Sequence, residues 1–287
     1  MEFTKMHALG NDYIVINEFD GEKVKNKEEF SKKVCRRRFS IGADGVIFIQ
    51  KPSSNNYDVK FRIFNSDGSE AEMCGNGIRC FSKYVYERIL KKNPLKVETK
   101  AGLRVCELEV EDDRVKKIRV YMGKPSFKCK DIPVKSEKEE FINERAELKN
   151  PYLKEVNITA VSVGNPHAII FVDDLEKIRE HLDVIGSEIE NLPIFPERIN
   201  VHFVKVLNDK EIKILTWERG VGYTMACGTG ATASAVVSNR LGFTKDKVLV
   251  HLDGGDLEIE IKDDGAYMKG DAVMVYDGVM FREAYEG

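Results

Sequence analysis

The feature that most constrains this chain is an internal repeat. Cys74-Gly75-Asn76-Gly77 returns as Cys227-Gly228-Thr229-Gly230, 153 residues later in a chain of 287. Gly10-Asn11 returns as Gly164-Asn165 at an offset of 154. Phe64-Asn65 stands as far ahead of Cys74 as Trp217-Glu218 stands ahead of Cys227. Val46-Ile47-Phe48-Ile49 resembles Val201-His202-Phe203-Val204 at 155, and Val97 and Gly102 match Val250 and Gly255 at 153. Landmarks in one order at nearly one offset indicate two homologous halves related by a pseudo-two-fold axis. The offset is too long for a solenoid, whose period lies in the tens of residues, so the repeat unit is a domain. The expected domains are residues 1–122, completed by a C-terminal strand at about 275–287, and residues 123–274. Each is long enough to bury its own core.

Each half reads as mainly β with one principal helix, an α+β chain. In the first half, strand-like segments fall at 6–8, 13–17, 46–50, 59–64, 95–100, 103–110 and 117–122. A helix is predicted over 27–39, with Phe30, Val34 and Cys35 on one face, and a second from the Cys74 turn to about Leu90. In the second half, strands are predicted at 156–163, 168–172, 201–206, 211–216, 247–252, 257–262 and 267–276. Helices are predicted at 174–182, capped by Asp173 or Asp174, and from Cys227 to about Arg240 with Gly242 past its end. The polar stretch 125–154 is expected to connect the halves.

Composition excludes several classes. The net charge is −3, and runs such as Arg36-Arg37-Arg38 are balanced by nearby acids, so no nucleic-acid partner is expected. No apolar run approaches the ~18 residues of a membrane span. Met1-Glu2-Phe3-Thr4-Lys5 does not read as a signal peptide, and six cysteines without one point to a reducing cytoplasm with free thiols. Cys74 and Cys80, with five residues between them, make a poor zinc or thioredoxin signature. No metal cluster is expected.

A Cys-Gly-x-Gly turn at a helix start has chemistry of its own. The glycines let backbone approach a ligand closely. The first N–H groups of a helix lack internal acceptors, and the dipole is positive there, so a carboxylate binds well. The same field favours thiolate over thiol. One such turn could hold an α-carboxylate and set a base beside the α-carbon; two could supply a base and an acid for opposite faces of one carbon. A lone Cys-Gly turn is usually structural, and the matching second copy is what argues for catalysis. Cys35, Cys80, Cys106 and Cys129 have no such partner and read as small hydrophobes.

Taken together, these strings resemble the diaminopimelate epimerase family of cofactor-independent amino-acid epimerases. The resemblance runs from Lys5-Met6-His7-Ala8-Leu9-Gly10-Asn11-Asp12-Tyr13 through Ile41-Gly42-Ala43-Asp44-Gly45-Val46 to the long run from Phe64 to Cys80. It continues with Gly164-Asn165-Pro166-His167, Arg198-Ile199-Asn200, Trp217-Glu218-Arg219-Gly220-Val221-Gly222 and Ala226-Cys227-Gly228-Thr229-Gly230-Ala231. It implies two pseudo-symmetric, mostly antiparallel barrel-like sheets, each around a central helix, with the active site in the cleft between them. It implies Cys74 and Cys227 as the acid–base pair, Gly75-Asn76 and Gly228-Thr229 as amide donors to the reacting carboxylate, and Glu218 at the substrate ammonium. Asn11, Asn65, Asn165, Asn200 and Arg219 would hold the distal end, and His167 would influence the cysteines. The implied reaction is interconversion of LL- and meso-diaminopimelate, in lysine and peptidoglycan-precursor biosynthesis, by a cytoplasmic homodimer without pyridoxal phosphate or metal. One departure stands out: where some members carry an amide side chain after the Gly-Ala/Phe-Asp motif, this chain has Gly45.

Read alone, Asn11, Asn65 and Asn200 also suit turns or caps, His167 a satisfied core histidine, and Glu218-Arg219 a surface ion pair. Rival readings of the whole are a proline racemase-like enzyme, a thiol sensor joining Cys74 to Cys227, and a phosphate-binding module. Four asparagines and an arginine suit a long zwitterion better than a compact ring, since amides read both ammonium and carboxylate. Neither turn fits a full P-loop or dinucleotide fingerprint.

Overall fold

The computed structural model describes residues 1–286. The chain divides into two compact units: Met1–Tyr121 together with the chain from Lys269 onward, and Met122–Met268.

In the first unit, strand Asn11–Glu18 pairs antiparallel with Glu2–Ala8, which pairs in turn with Val273–Val279. On its other side Asn11–Glu18 runs parallel to Gly45–Gln50, which is antiparallel to Val59–Asn65. Val59–Asn65 runs parallel to Leu95–Thr99, and Gly102–Glu111 and Arg114–Gly123 follow antiparallel. The two parallel pairs need crossovers, which helices Lys27–Val34 and Gly75–Arg88 supply. The second helix packs against strands on several sides, including Glu2–Ala8, Gly45–Gln50 and Gly102–Glu111. Ile78, Phe81 and Val85 form its buried stripe.

The second unit repeats this order. Glu155–Ser162 is antiparallel to Pro166–Phe171, which is parallel to Asn200–Asn208. Glu211–Glu218 follows antiparallel, Lys247–Leu252 parallel, and Gly255–Lys262 antiparallel. Helix Gly228–Arg240 touches every one of these six strands. Its small residues Ala231, Ala233, Ser234 and Ala235 are all buried, which lets the strands close in around it. Gly242 follows the helix end at φ +77°, a left-handed position that favours glycine.

The structure departs from the sequence reading in four places. The first helix ends at Val34, not 39; Cys35 closes it and Arg38 turns at φ +70°. The helix expected at 174–182 is Leu175–Arg179, capped by Asp174, and a second helix, Leu182–Glu190, follows. That second helix contains Gly186, where a Cβ would lie 2.7 Å from the Trp217 ring; the glycine is there for close approach. The segment 125–154 is not a mere connection: Cys129, Ile132, Val134, Phe141 and Leu148 are buried in the second unit's core, and Glu144–Glu147 pairs with Glu155–Ser162. The long strand expected at 267–276 is two, Gly265–Gly270 and Val273–Val279. The final residue of the segment 275–287, Gly287, lies outside the described residues.

Candidate active site

Both cysteine turns stand at helix starts. Cys74 is the N-cap of Gly75–Arg88 and Cys227 the N-cap of Gly228–Arg240, each in extended conformation. The ladders begin with Ile78 N–H to Cys74 O and Ala231 N–H to Cys227 O, both at 2.9 Å. The first amides of each turn therefore lie ahead of their own helix's ladder, where the dipole is positive.

Around Cys74, the Tyr13 hydroxyl lies 3.1 Å from Sγ and donates to Asn11 Oδ1. The Asn11 amide is oriented by Asp44, whose carboxylate accepts from Asn11 Nδ2 at 2.6 Å. Asn76 Nδ2 reaches Asn11 Oδ1 at 3.4 Å, and buried Arg79 donates to Asn76 Oδ1 at 2.8 Å. Burial, with Cys74 next, pushes the Tyr13 phenol well above its ordinary range, so it stays protonated. Asn65, at the end of its strand, donates to Ser69 Oγ at 2.9 Å.

Around Cys227, Sγ accepts from Gly230 N–H at 3.4 Å and lies 3.5 Å from Thr229 Oγ1. Burial and then the Glu218 carboxylate push this thiol well above the ordinary range, while the Thr229 hydroxyl and the Gly230 amide pull the other way. Glu218 is held by Thr224 Oγ1 at 2.5 Å. Asn165 spans His167 Nε2 at 2.8 Å and Thr229 Oγ1 at 3.4 Å. Asn200 donates to Pro166 O at 2.8 Å and accepts Arg219 N–H at 3.0 Å; the Arg219 guanidinium donates to Glu197 O at 3.0 Å. The Glu218-Arg219 pair is thus not a surface ion pair but the shoulder of a fixed loop.

Cys74, Asn11, Asn76 and, in the same unit, Gly75 form one cluster. Cys227, Thr229, Asn165, His167, Glu218 and Gly228 form the other, joined through Pro166 by Asn200 and Arg219. The Asn65 side chain bonds Ser69 of its own turn. Four residues tied to these clusters escaped the sequence reading: Tyr13, Asp44, Glu190 and His202. Buried Glu190 accepts from Trp217 Nε1 and Gly220 N–H, both at 2.8 Å, and from Arg198 at 3.1 Å, fixing the loop that carries Glu218. His202 left a legible signal, a polar residue in an apolar strand. The departure at Gly45 has a steric cause: a Cβ there would stand 2.7 Å from Phe64 O. Among the described residues, no group of three or more His, Cys, Asp and Glu side chains could hold a metal ion, and no helix is long and apolar enough to cross a membrane.

The family profile described as "Diaminopimelate epimerase" matches residues 3–128 and 159–275. The chain belongs to the diaminopimelate epimerase family. It is 73% identical over 287 residues to the diaminopimelate epimerase of Methanocaldococcus jannaschii, covering 96% of this chain and 97% of that one. It is 63% identical over 292 residues to that of Methanococcus aeolicus, covering 98% and 99%. Its fold is shared with a probable proline racemase from Agrobacterium radiobacter, at a TM-score of 0.70 and 17% identity over 98% of this chain and 92% of that one. The resemblance read from the sequence, and the α+β fold it implied, are borne out at the level of the family.

Proposed function

We propose that this diaminopimelate epimerase family member inverts one α-carbon of diaminopimelate, interconverting the LL and meso forms with its own two cysteines as acid and base. The observation that carries the reading is the pair of cysteines, each the N-cap of a helix sunk within its own β unit. One sulfur takes the α-proton and the other returns one; their roles exchange with the direction of reaction.

Amides of Gly75-Asn76 and Gly228-Thr229 receive the reacting carboxylate, whose carbanion character they stabilise electrostatically. Glu218 meets the adjacent ammonium. Asn11, Asn65, Asn165, Asn200 and Arg219 read the distal zwitterion, and His167 governs the Cys227 side. The duplicated halves, 1–122 with the C-terminal strand and 123–274, each contribute one cysteine turn. A homodimer in the cytoplasm is the setting that this reading adopts.

Proton NMR in deuterated water tests it. The α-proton signal of LL-diaminopimelate should disappear with enzyme, and that of L-proline should persist. Loss from proline alone would transfer the chain to the proline racemase-like reading.

A further inference from the structure

The repeat contains one exchange that its symmetry does not explain. At the offset of 154 that relates Asn11 to Asn165, Tyr13 corresponds to His167. Each bonds the oxygen of the asparagine two residues before it. Tyr13 has one proton and one way to give it. His167 has two ring nitrogens, and either can carry the proton. Behind Tyr13, the first unit places Ile47 across from Ile63 in neighbouring strands; behind His167, the second unit places His202 across from Thr216. Both histidines are wholly buried. A buried polar pair costs stability unless fully bonded, and the apolar pair of the other unit shows that the fold does not need it.

The bonds around these rings form one continuous line. Thr216 Oγ1 lies 3.1 Å from His202 Nδ1, His202 Nε2 lies 2.9 Å from His167 Nδ1, and His167 Nε2 lies 2.8 Å from Asn165 Oδ1. Asn165 Nδ2 then donates to Thr229 Oγ1, which faces Cys227 Sγ. An amide oxygen only accepts, so His167 carries its proton on Nε2. Its Nδ1 must then accept, which places the proton of His202 also on Nε2, and His202 Nδ1 accepts from the Thr216 hydroxyl. Thr229, accepting from Asn165, turns its own proton to the sulfur.

We propose that His202 is a positioning residue for the epimerase reaction: it fixes the tautomer of His167 and so directs a one-way line of donors at Cys227. His202 acts through His167 and does not touch substrate. It also underlies the turn itself, since a Cβ at Gly230 would stand 2.1 Å from His202 Cε1. Desolvation lowers both rings, His202 to about 3 and His167 well below the ordinary range with His202 and Arg219 adding to it. Both therefore stay neutral at physiological pH, as the line requires. The inference rests on the epimerase reading for its consequence in turnover but not for its geometry.

Long-range proton–nitrogen NMR of the histidine rings tests the geometry without substrate. Two neutral rings protonated at Nε2 are expected for His167 and His202, assigned by the signals lost in single variants. Protonation at Nδ1 in both, which an inverted Asn165 amide would impose, or a charged ring at neutral pH, would overturn it. Turnover adds a second test. His202→Phe keeps the ring volume and loses both bonds; His202→Gln keeps one donor and one acceptor. With diaminopimelate, His202→Phe should lose about tenfold in kcat with little change in KM, the size of one hydrogen bond at the transition state. His202→Gln should recover most of it. Equal activity in the two variants would overturn the positioning role even with both folded. If the wild type leaves diaminopimelate unchanged, the function reading fails while the tautomer result stands on its own.

Discussion

The Cys74 turn and the Cys227 turn share a backbone plan and differ in what surrounds the sulfur. Cys74 makes no side-chain cap bond; its neighbour is the Tyr13 oxygen, whose proton is committed to Asn11. Tyr13 therefore offers Cys74 an acceptor. Cys227 caps its helix, accepting from Gly230 N–H with the Thr229 hydroxyl beside it, and so is offered donors. It needs them, because burial and Glu218 both oppose its ionisation. One duplicated scaffold has thus been specialised into an acceptor-facing and a donor-facing cysteine by a handful of side chains. The comparison teaches that strand order and turn geometry were kept while the polar partners were exchanged.

The comparison can be broken most sharply at the sulfurs. Cys74→Ala and Cys227→Ala should each lower steady-state epimerisation by about a hundredfold or more, the scale of a lost acid or base. Near wild-type turnover in both directions by either variant would remove the two-base mechanism. The second glycines come next. Gly230→Ala drives a methyl into the His202 ring, which two hydrogen bonds hold in place. It should cost about 2–3 kcal/mol in denaturant unfolding, at the upper end for overpacking. Gly77→Ala meets the Ile63 Cδ1 methyl at 2.8 Å, the tip of a side chain able to rotate. With alanine's better helix propensity as an offset, it should cost less than about 1 kcal/mol. Equal costs would mean that His202 is not the rigid floor of its turn.

Thr229→Val and Tyr13→Phe each remove one hydroxyl beside a sulfur, and each should lower kcat by about tenfold. Only Thr229→Val should slow alkylation of Cys227 at neutral pH, followed by peptide mass analysis, because it removes a donor that favours the thiolate. A further effect concerns acid. An unfolded histidine titrates near 6.5, whereas folded His202 titrates at about 3. Between these values the unfolded chain binds a proton that the folded one does not. The resulting stability is complete above about pH 6.5 and falls with pH by about 1.4 kcal/mol per unit. His202→Gln should therefore lose about 1.4 kcal/mol less than wild type between about pH 7.5 and about pH 5.5, by urea unfolding at both. Parallel losses would show His202 already charged in the folded protein.

Much of this was legible in the sequence because it is periodic or local. The strands alternate, the cysteine turns carry their own glycines, and duplication fixes their order. What was not legible depends on residues far apart. At the end of the first helix, the carbonyls of Val34 and Cys35 are taken by the N–H groups of Gly42 and Ala43, eight residues on, which no apolar stripe announces. The helix Leu182–Glu190 holds Gly186, whose reason is Trp217, thirty-one residues on. The segment 125–154 is polar on average, yet five spaced apolar side chains carry it into a core. At the site, the cysteines were found by their motif. Tyr13 and His202 were missed as site residues because their partners come from elsewhere in the fold: Cys74 at a helix start for Tyr13, and His167 and Thr216 on neighbouring strands for His202.

The strand Val273–Val279 lies beside Glu2–Ala8, and the N-terminal ammonium donates to Met280 O at 2.6 Å. Made on a ribosome, the first unit therefore leaves the tunnel with one edge unpaired, and the strand that covers it is synthesised only after the whole of the second unit. The second unit, continuous from Met122 to Met268, has its whole sequence available sooner. The half that is translated first is thus the half that is finished last. Domains ordinarily mature from the N-terminus, and an open strand edge invites foreign pairing in the interval. A truncation that spares both cysteines but removes the last strand would leave the older half, not the younger, incomplete.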